Sequence, residues 1–184
     1  MDGMDATSRM EPPEDRDAAE GGDPRRSEVE RAIDLAYRAV ARRERTVAEL
    51  RACLERKRAE PEAIDAAVRE LTGSGFLDDA RYAQRFADDK RELEQWGSDR
   101  IARDLARRGV SADLVDAAVA GRSRDSELGT AVLLLERRLG APPVDDGARR
   151  RAWGMLVRRG YSPEIAYEAI RQHERVAAGR PRAA

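Results

Sequence analysis

The chain has 184 residues, of which 35 are basic and 36 acidic, with one His, one Cys and a formal net charge of −1. It contains no run of about 18 apolar residues to cross a membrane and no N-terminal apolar stretch to act as a secretory signal, and one Cys with one His builds neither a disulfide nor a zinc site. The expectation is a cytoplasmic protein without metal or cofactor, held together by packing, and rich in helix: 32 residues are Ala, only Lys57 and Lys90 are lysines, and aromatics make up 4%.

Residues 1–26 read MDGMDATSRMEPPEDRDAAEGGDPRR, with eight acids, four arginines and three prolines. Such a segment buries too little apolar surface to offset its ordering entropy, so it is expected to be a disordered acidic tail. The remaining 27–184 carry 31 basic and 28 acidic residues, so the near-neutral total conceals a tail of −4 and a body of +3. From Ser27 onward, start and stop signals predict helices over 28–43, 47–58, 61–72, 79–94, 99–108, 112–121, 126–139, 147–159 and 163–176. Thr46 and Glu49 have the spacing of a capping box. Pro61 and Pro163 suit a first helical turn, Gly109 and Gly160 suit the left-handed position after a helix, and Ser111 and Ser162 are placed to cap the next one. Residues 179–184 read as a frayed end, and no segment alternates like a strand.

A period of 51 residues runs through this pattern. Leu54, Leu105 and Leu156 are 51 apart, as are Val68, Val119 and Ile170, Ala67, Ala118 and Ala169, and the acids Glu62, Asp113 and Glu164. The stretches RRGVSADLVDAAVA and RRGYSPEIAYEAIR fall at equivalent positions. The fold expected is therefore all-α, with three tandem three-helix repeats (helix-turn-helix-like modules) in an elongated array: 27–76, 77–122 and 123–178. A unit of about 50 residues is marginal alone, so neighbours are expected to lean on one another. At roughly 25 Å per unit, three in line would span roughly 75 Å, a shape suited to an extended partner.

No catalytic constellation is present: there is no GxSxG, GxxxxGK[ST], HExxH or CxxC. His173 reads as a residue near a helix end and Cys53 as a small, partly buried hydrophobe. An enzyme is not expected. Arginine is the remaining resource. Arg56-Lys57, Arg107-Arg108 and Arg158-Arg159 repeat at the same two positions, and Arg100, Arg103 and Arg107 share a helix face. These eight residues are candidate contacts for phosphate or an acidic protein surface, although cations at helix C-termini also favour the dipole. Sequence-specific duplex reading is disfavoured, because the third helices of the first two units lack Asn and Gln and the body charge is small. Phe76, Tyr82 and Phe86 gather at the first unit boundary, while Trp96 and Trp153 could each anchor either a core or a partner.

The stretch GFLDDARYAQRF resembles the G-x-L-D-D-x-x-[FY]-A-x-x-[FY] signature of RecX regulatory proteins, carried here by Gly75, Leu77, Asp78, Asp79, Tyr82, Ala83 and Phe86. RTVAELRACLERK upstream and WGSDRIARDLARRGV downstream are similar to that family's flanking segments, with Ser98 where Pro is common. The resemblance covers about residues 30–175, and the third unit diverges most. It implies three tandem three-helix repeats and a non-enzymatic regulator that binds the RecA recombinase filament on single-stranded DNA. It further implies restraint of strand exchange, ATP hydrolysis and stimulated repressor self-cleavage, in DNA repair and the SOS response. A monomer that binds single-stranded DNA weakly by itself is expected; the alternative is an autonomous nucleic-acid-binding helical-repeat protein.

Overall fold

A computed structural model describes residues 24–178, which form helices and connecting turns with no strand among them. In chain order the helices are α1 (Pro24–Arg42), α2 (Val47–Arg56), α3 (Pro61–Gly73), α4 (Asp79–Glu92), α5 (Ser98–Arg107), α6 (Ala112–Ala120), α7 (Arg124–Leu139), α8 (Asp146–Arg158) and α9 (Pro163–Ala178). α1 starts ahead of the expected residue 28, so 24–26 of the expected tail form a helical turn instead. Pro24 lacks an N–H that this turn does not need, and Arg26 pairs with Glu30 one turn on at 3.3 Å. The rest of that tail, residues 1–23, and the expected frayed end, 179–184, lie outside the described residues. α7 likewise starts two residues early, because the Ser123 hydroxyl accepts from the Ser126 N–H at 3.2 Å and fixes the cap there.

Three cores follow one another along the chain. The first joins α1–α3, where Ala32, Ala36 and Ala39 recur on one face of α1 and leave room for Ala63, Ile64, Ala67 and Leu71 of α3. The second joins α4–α6 around Ala83, Ala87, Trp96, Ile101 and Leu105, and the third joins α7–α9 around Leu134, Leu135, Leu156 and Ala169. The 51-residue register is a packing register: Leu54, Leu105 and Leu156 each stand at 0% exposure in the middle helix of their unit. Gly109 and Gly160 hold φ of +78° and +89°, the left-handed conformation that a helix stop of this kind requires. The capping box forms by half. Thr46 accepts from the Glu49 N–H at 3.1 Å, while the Glu49 carboxylate is drawn instead to Arg43 at 2.7 Å and Arg108 at 2.8 Å.

The units join through their middle helices, end to end. The Thr46 hydroxyl, at the start of α2, donates to the Arg108 carbonyl at the end of α5 at 2.6 Å. Fifty-one residues on, the Gly97 and Asp99 N–H groups at the start of α5 donate to the Arg159 and Gly160 carbonyls at the end of α8, at 2.9 and 3.1 Å. Each junction thus sets the positive end of one helix dipole on the negative end of the next and satisfies backbone groups that a lone helix leaves open. Contact is close enough to exclude side chains. A Cβ at Gly160 would lie 2.5 Å from the Arg100 nitrogen, one at Gly109 2.3 Å from the Ala48 Cβ, and one at Gly97 2.2 Å from the Gly160 oxygen. In the first unit the equivalent turn residue is Arg58, also left-handed at φ +59°, and it is exposed.

Candidate partner interface

The residues of the GFLDDARYAQRF stretch build the first junction. Gly75 turns the chain at φ +74°, Leu77 drops into the first core at 1% exposure, and Asp78 caps α4 by accepting from the Arg81 N–H at 2.9 Å. Asp79, one residue on, reaches across the boundary and accepts from the Val47 N–H at 2.9 Å, so an acid of the second unit caps a helix of the first. Burial pushes its carboxyl above the ordinary value, with Asp78 and Glu49 adding to the rise and the Val47 N–H opposing it. Ala83 is buried in the second core; Tyr82 and Phe86 stack at 6.1 Å against it, and the Arg108 guanidinium lies 5.1 Å from the Phe86 ring centre. Phe76 stays outside, 61% exposed, edge-on to Tyr37 at 5.3 Å.

The second junction repeats the device with different residues. Glu127 of α7 accepts from the Ser98 N–H at 2.7 Å, as Asp79 does from Val47. The Tyr161 hydroxyl donates to the Gln95 carbonyl at 3.0 Å, and the Arg159 guanidinium donates to the Glu94 carbonyl at 2.6 Å. Burial pushes the Tyr161 phenol up to about 12. Neither cross-boundary cap is evident from sequence spacing, since donor and acceptor lie 29 to 32 residues apart; the register 47-to-98 is the only signal that the two amides are equivalent.

The eight basic candidates divide by this architecture. Arg56, Lys57, Arg103, Arg107 and Arg158 are exposed, whereas Arg100, Arg108 and Arg159 are half-buried. Arg108 and Arg159 face inward at the junctions described above. The Arg100 guanidinium lies over the Trp96 ring, 3.8 Å from its centre, so Arg100, Arg103 and Arg107 share a helix but not an environment. Arg103 bonds back to the Asp99 carbonyl at 3.1 Å, and Arg107 pairs with Asp104. Arg56, Arg107 and Arg158 are thus the exposed members that recur at equivalent positions, one per unit at a 51-residue interval.

The two tryptophans part company. Trp96 is 8% exposed and belongs to the second core; Trp153 is 41% exposed on α8. Cys53 is half-buried against the first core. His173, near the end of α9, is 3% exposed and packed inside the third unit, on the face of α9 that carries Ile165, Ala166, Ala169 and Ile170. Among the described residues no group of His, Cys, Asp and Glu is placed to hold a metal, and no helix is long and apolar enough to cross a membrane. What the surface offers is a series of cations on rigid helices, suited to binding.

Comparison with known proteins bears on the same residues. A family model described as the second three-helix domain of RecX matches residues 78–119. The regulatory protein RecX of Thermobifida fusca is 37% identical over 145 residues, covering 77% of this chain and 78% of its own length. That of Deinococcus radiodurans is 34% identical over 148 residues, covering 80% and 71%. Among solved structures, RecX from Lactobacillus salivarius superposes with a TM-score of 0.72 at 16% identity, over 81% of this chain and 98% of its own, which is a likeness of fold.

Proposed function

The chain belongs to the RecX family of regulatory proteins, and we propose that it acts by binding the RecA recombinase filament on single-stranded DNA, restraining recombinase, ATPase and coprotease activities without a catalytic step of its own. One observation carries the reading. The end-to-end junctions of the middle helices hold three units in register, so that Arg56, Arg107 and Arg158 recur on the surface at a fixed interval. A partner that is itself periodic can meet such a set repeatedly, and contacts too weak to hold singly combine through effective concentration once the first is made.

This reading also explains why so many arginines are tied inward: rigid junctions keep the spacing of the outer ones. It makes the protein a monomeric regulator whose binding to DNA alone is weak. The test is to add the protein to recombinase on single-stranded DNA, following ATP turnover and co-sedimentation. Slowed turnover with the protein in the filament pellet is expected. Unchanged turnover and an empty pellet would overturn the reading. Tight, salt-sensitive DNA binding in the absence of recombinase would point to the autonomous binder instead.

A further inference from the structure

Arg51 of α2 and Asp65 of α3 form an ion pair at 2.6 Å across the surface groove between the middle and third helices of the first unit. Fifty-one residues on, the same two positions hold Ala102 and Asp116, and after another fifty-one they hold Trp153 and Tyr167. One pair of positions in one fold thus accepts an ion pair, a small residue beside an acid, or two large rings. The rings are not needed to close the groove, and they stand 41% and 61% exposed. Large aromatics are kept on a surface at such a cost mainly where something covers them.

Their surroundings identify what covers them. Trp153 and Tyr167 line an open groove with Arg149, Arg150, Ile170, Arg171 and Glu174. Arg150 lies one turn before Trp153 on α8, exposed, with no acidic partner among the described residues. The Arg171 guanidinium lies 5.9 Å from the Tyr167 ring centre. Glu174 is held by Arg149 at 2.8 Å, so the groove's single acid presents little bare negative charge. A protein hot spot sets its aromatic in a desolvated apolar pocket. Here the flanking side chains other than Ile170 and the paired Glu174 are guanidinium groups, which match phosphates, while ring faces accept any base.

We propose that Trp153 and Tyr167 form a base-stacking platform for single-stranded DNA, with Arg150 and Arg171 taking the adjoining phosphates. The proposal deepens the function above and rests on it for the setting, a recombinase filament that contains such a strand; the binding itself is a property of this chain. The platform lies in the third unit alone, at the end of the array.

The decisive variant is Trp153→Arg with Tyr167→Asp, which installs the first unit's own ion pair and leaves net charge unchanged. The probes are a fluorescein-labelled 20-mer of thymidine and an abasic 20-mer with the same phosphates, followed by anisotropy at low salt without recombinase. The full-length protein is expected to bind the thymidine strand at least about tenfold more tightly than the abasic one, with fluorescence quenching of the exposed Trp153. The double variant is expected to bind both strands alike, with thermal unfolding unchanged. If that variant does not fold, Tyr167→Ala and Trp153→Phe replace it: the first is expected to lose most of the preference and the second, which keeps a ring, to retain most of it. Equal affinity of the unaltered protein for the two strands would overturn the platform. So would a double variant that binds thymidine normally, including one that also fails to co-sediment with filaments, which would make the rings a protein contact. ATP turnover keeps the two proposals apart. A base preference without an effect on turnover leaves the platform standing and removes the regulator, and inhibition without ring dependence does the reverse.

Discussion

At the scale of single residues, Asp79 works against its own charge. Burial holds its carboxyl above the ordinary 3.8, so folding favours the neutral form. Its proton-linked contribution is therefore complete below about pH 3.8 and is lost as pH rises through the folded value. At neutral pH the group stays because its oxygen caps Val47, not because it is ionised. Asp79→Asn keeps an acceptor and is expected to cost less than about 0.5 kcal/mol in urea unfolding, whereas Asp79→Ala should cost about 1–2 kcal/mol. Equal losses would show that the charge matters after all. Tyr161 behaves similarly at the other end of the pH range. Its phenol is raised to about 12, so the stability it confers is complete below pH 10 and is lost between pH 10 and about 12. Tyr161→Phe is expected to lower stability by about 1 kcal/mol at pH 8 and to flatten the decline above pH 10, read from urea midpoints across that range. Adjacent arginines should also separate: Arg108→Glu breaks the part-buried contact with Glu49 and should lower stability clearly, while Arg107→Glu loses only the pair with Asp104 and the helix-end charge, should cost less, about 1 kcal/mol or below, and should weaken filament co-sedimentation.

At the scale of elements, the 51-residue register does two jobs. It places a leucine at the centre of each unit, and truncating Leu105 to Ala should cost about 2–5 kcal/mol because the site is sealed. It also places a turn where the next helix must land. Gly160→Ala forces a Cβ against the Arg100 backbone at 2.5 Å and imposes a poor φ, so the junction has to open. Urea unfolding of that variant is expected to split into two transitions, one for the third unit and one for the rest. A single unshifted transition would mean that the junction contributes nothing. Arg58 provides the contrast. It holds the same left-handed turn but is exposed, and Arg58→Gly is expected to shift stability by no more than about 1 kcal/mol.

At the scale of the whole molecule, three small cores are coupled in series, each dependent on its neighbour because about 50 residues leave much surface unburied. Helix ends are the coupling: the second junction is held by two backbone hydrogen bonds together with the Glu127, Tyr161 and Arg159 side chains, and the first by the Thr46, Asp79 and Arg108 side chains acting on helix-end backbone and on Glu49. Rigid spacing is what a periodic partner requires. Reversing Arg56, Arg107 and Arg158 together is expected to abolish co-sedimentation with filaments while leaving thermal unfolding near that of the unaltered protein, with each single reversal giving only a partial loss. A triple variant that still pellets with the filament would move the contact to another face.

Local propensity, helical periodicity and backbone sterics made the all-helical class, the triple repeat, the buried leucines and the left-handed turns at Gly109 and Gly160 legible in the order of residues. That order also carried the family, through a motif whose residues turn out to fill a junction. Which of two equivalent-looking groups faces inward depends instead on packing between segments distant in the chain. Trp96 is closed into the core of its own unit while Trp153 stays exposed, and Arg108 rather than Arg107 meets Glu49 of the neighbouring unit; no local rule reports which of these contacts form. The caps from Asp79 and Glu127 belong to the same class: each completes a helix that its own unit leaves open. Local order is fixed by forces that act over one turn of chain; surface and interior are assigned only when the units close on each other.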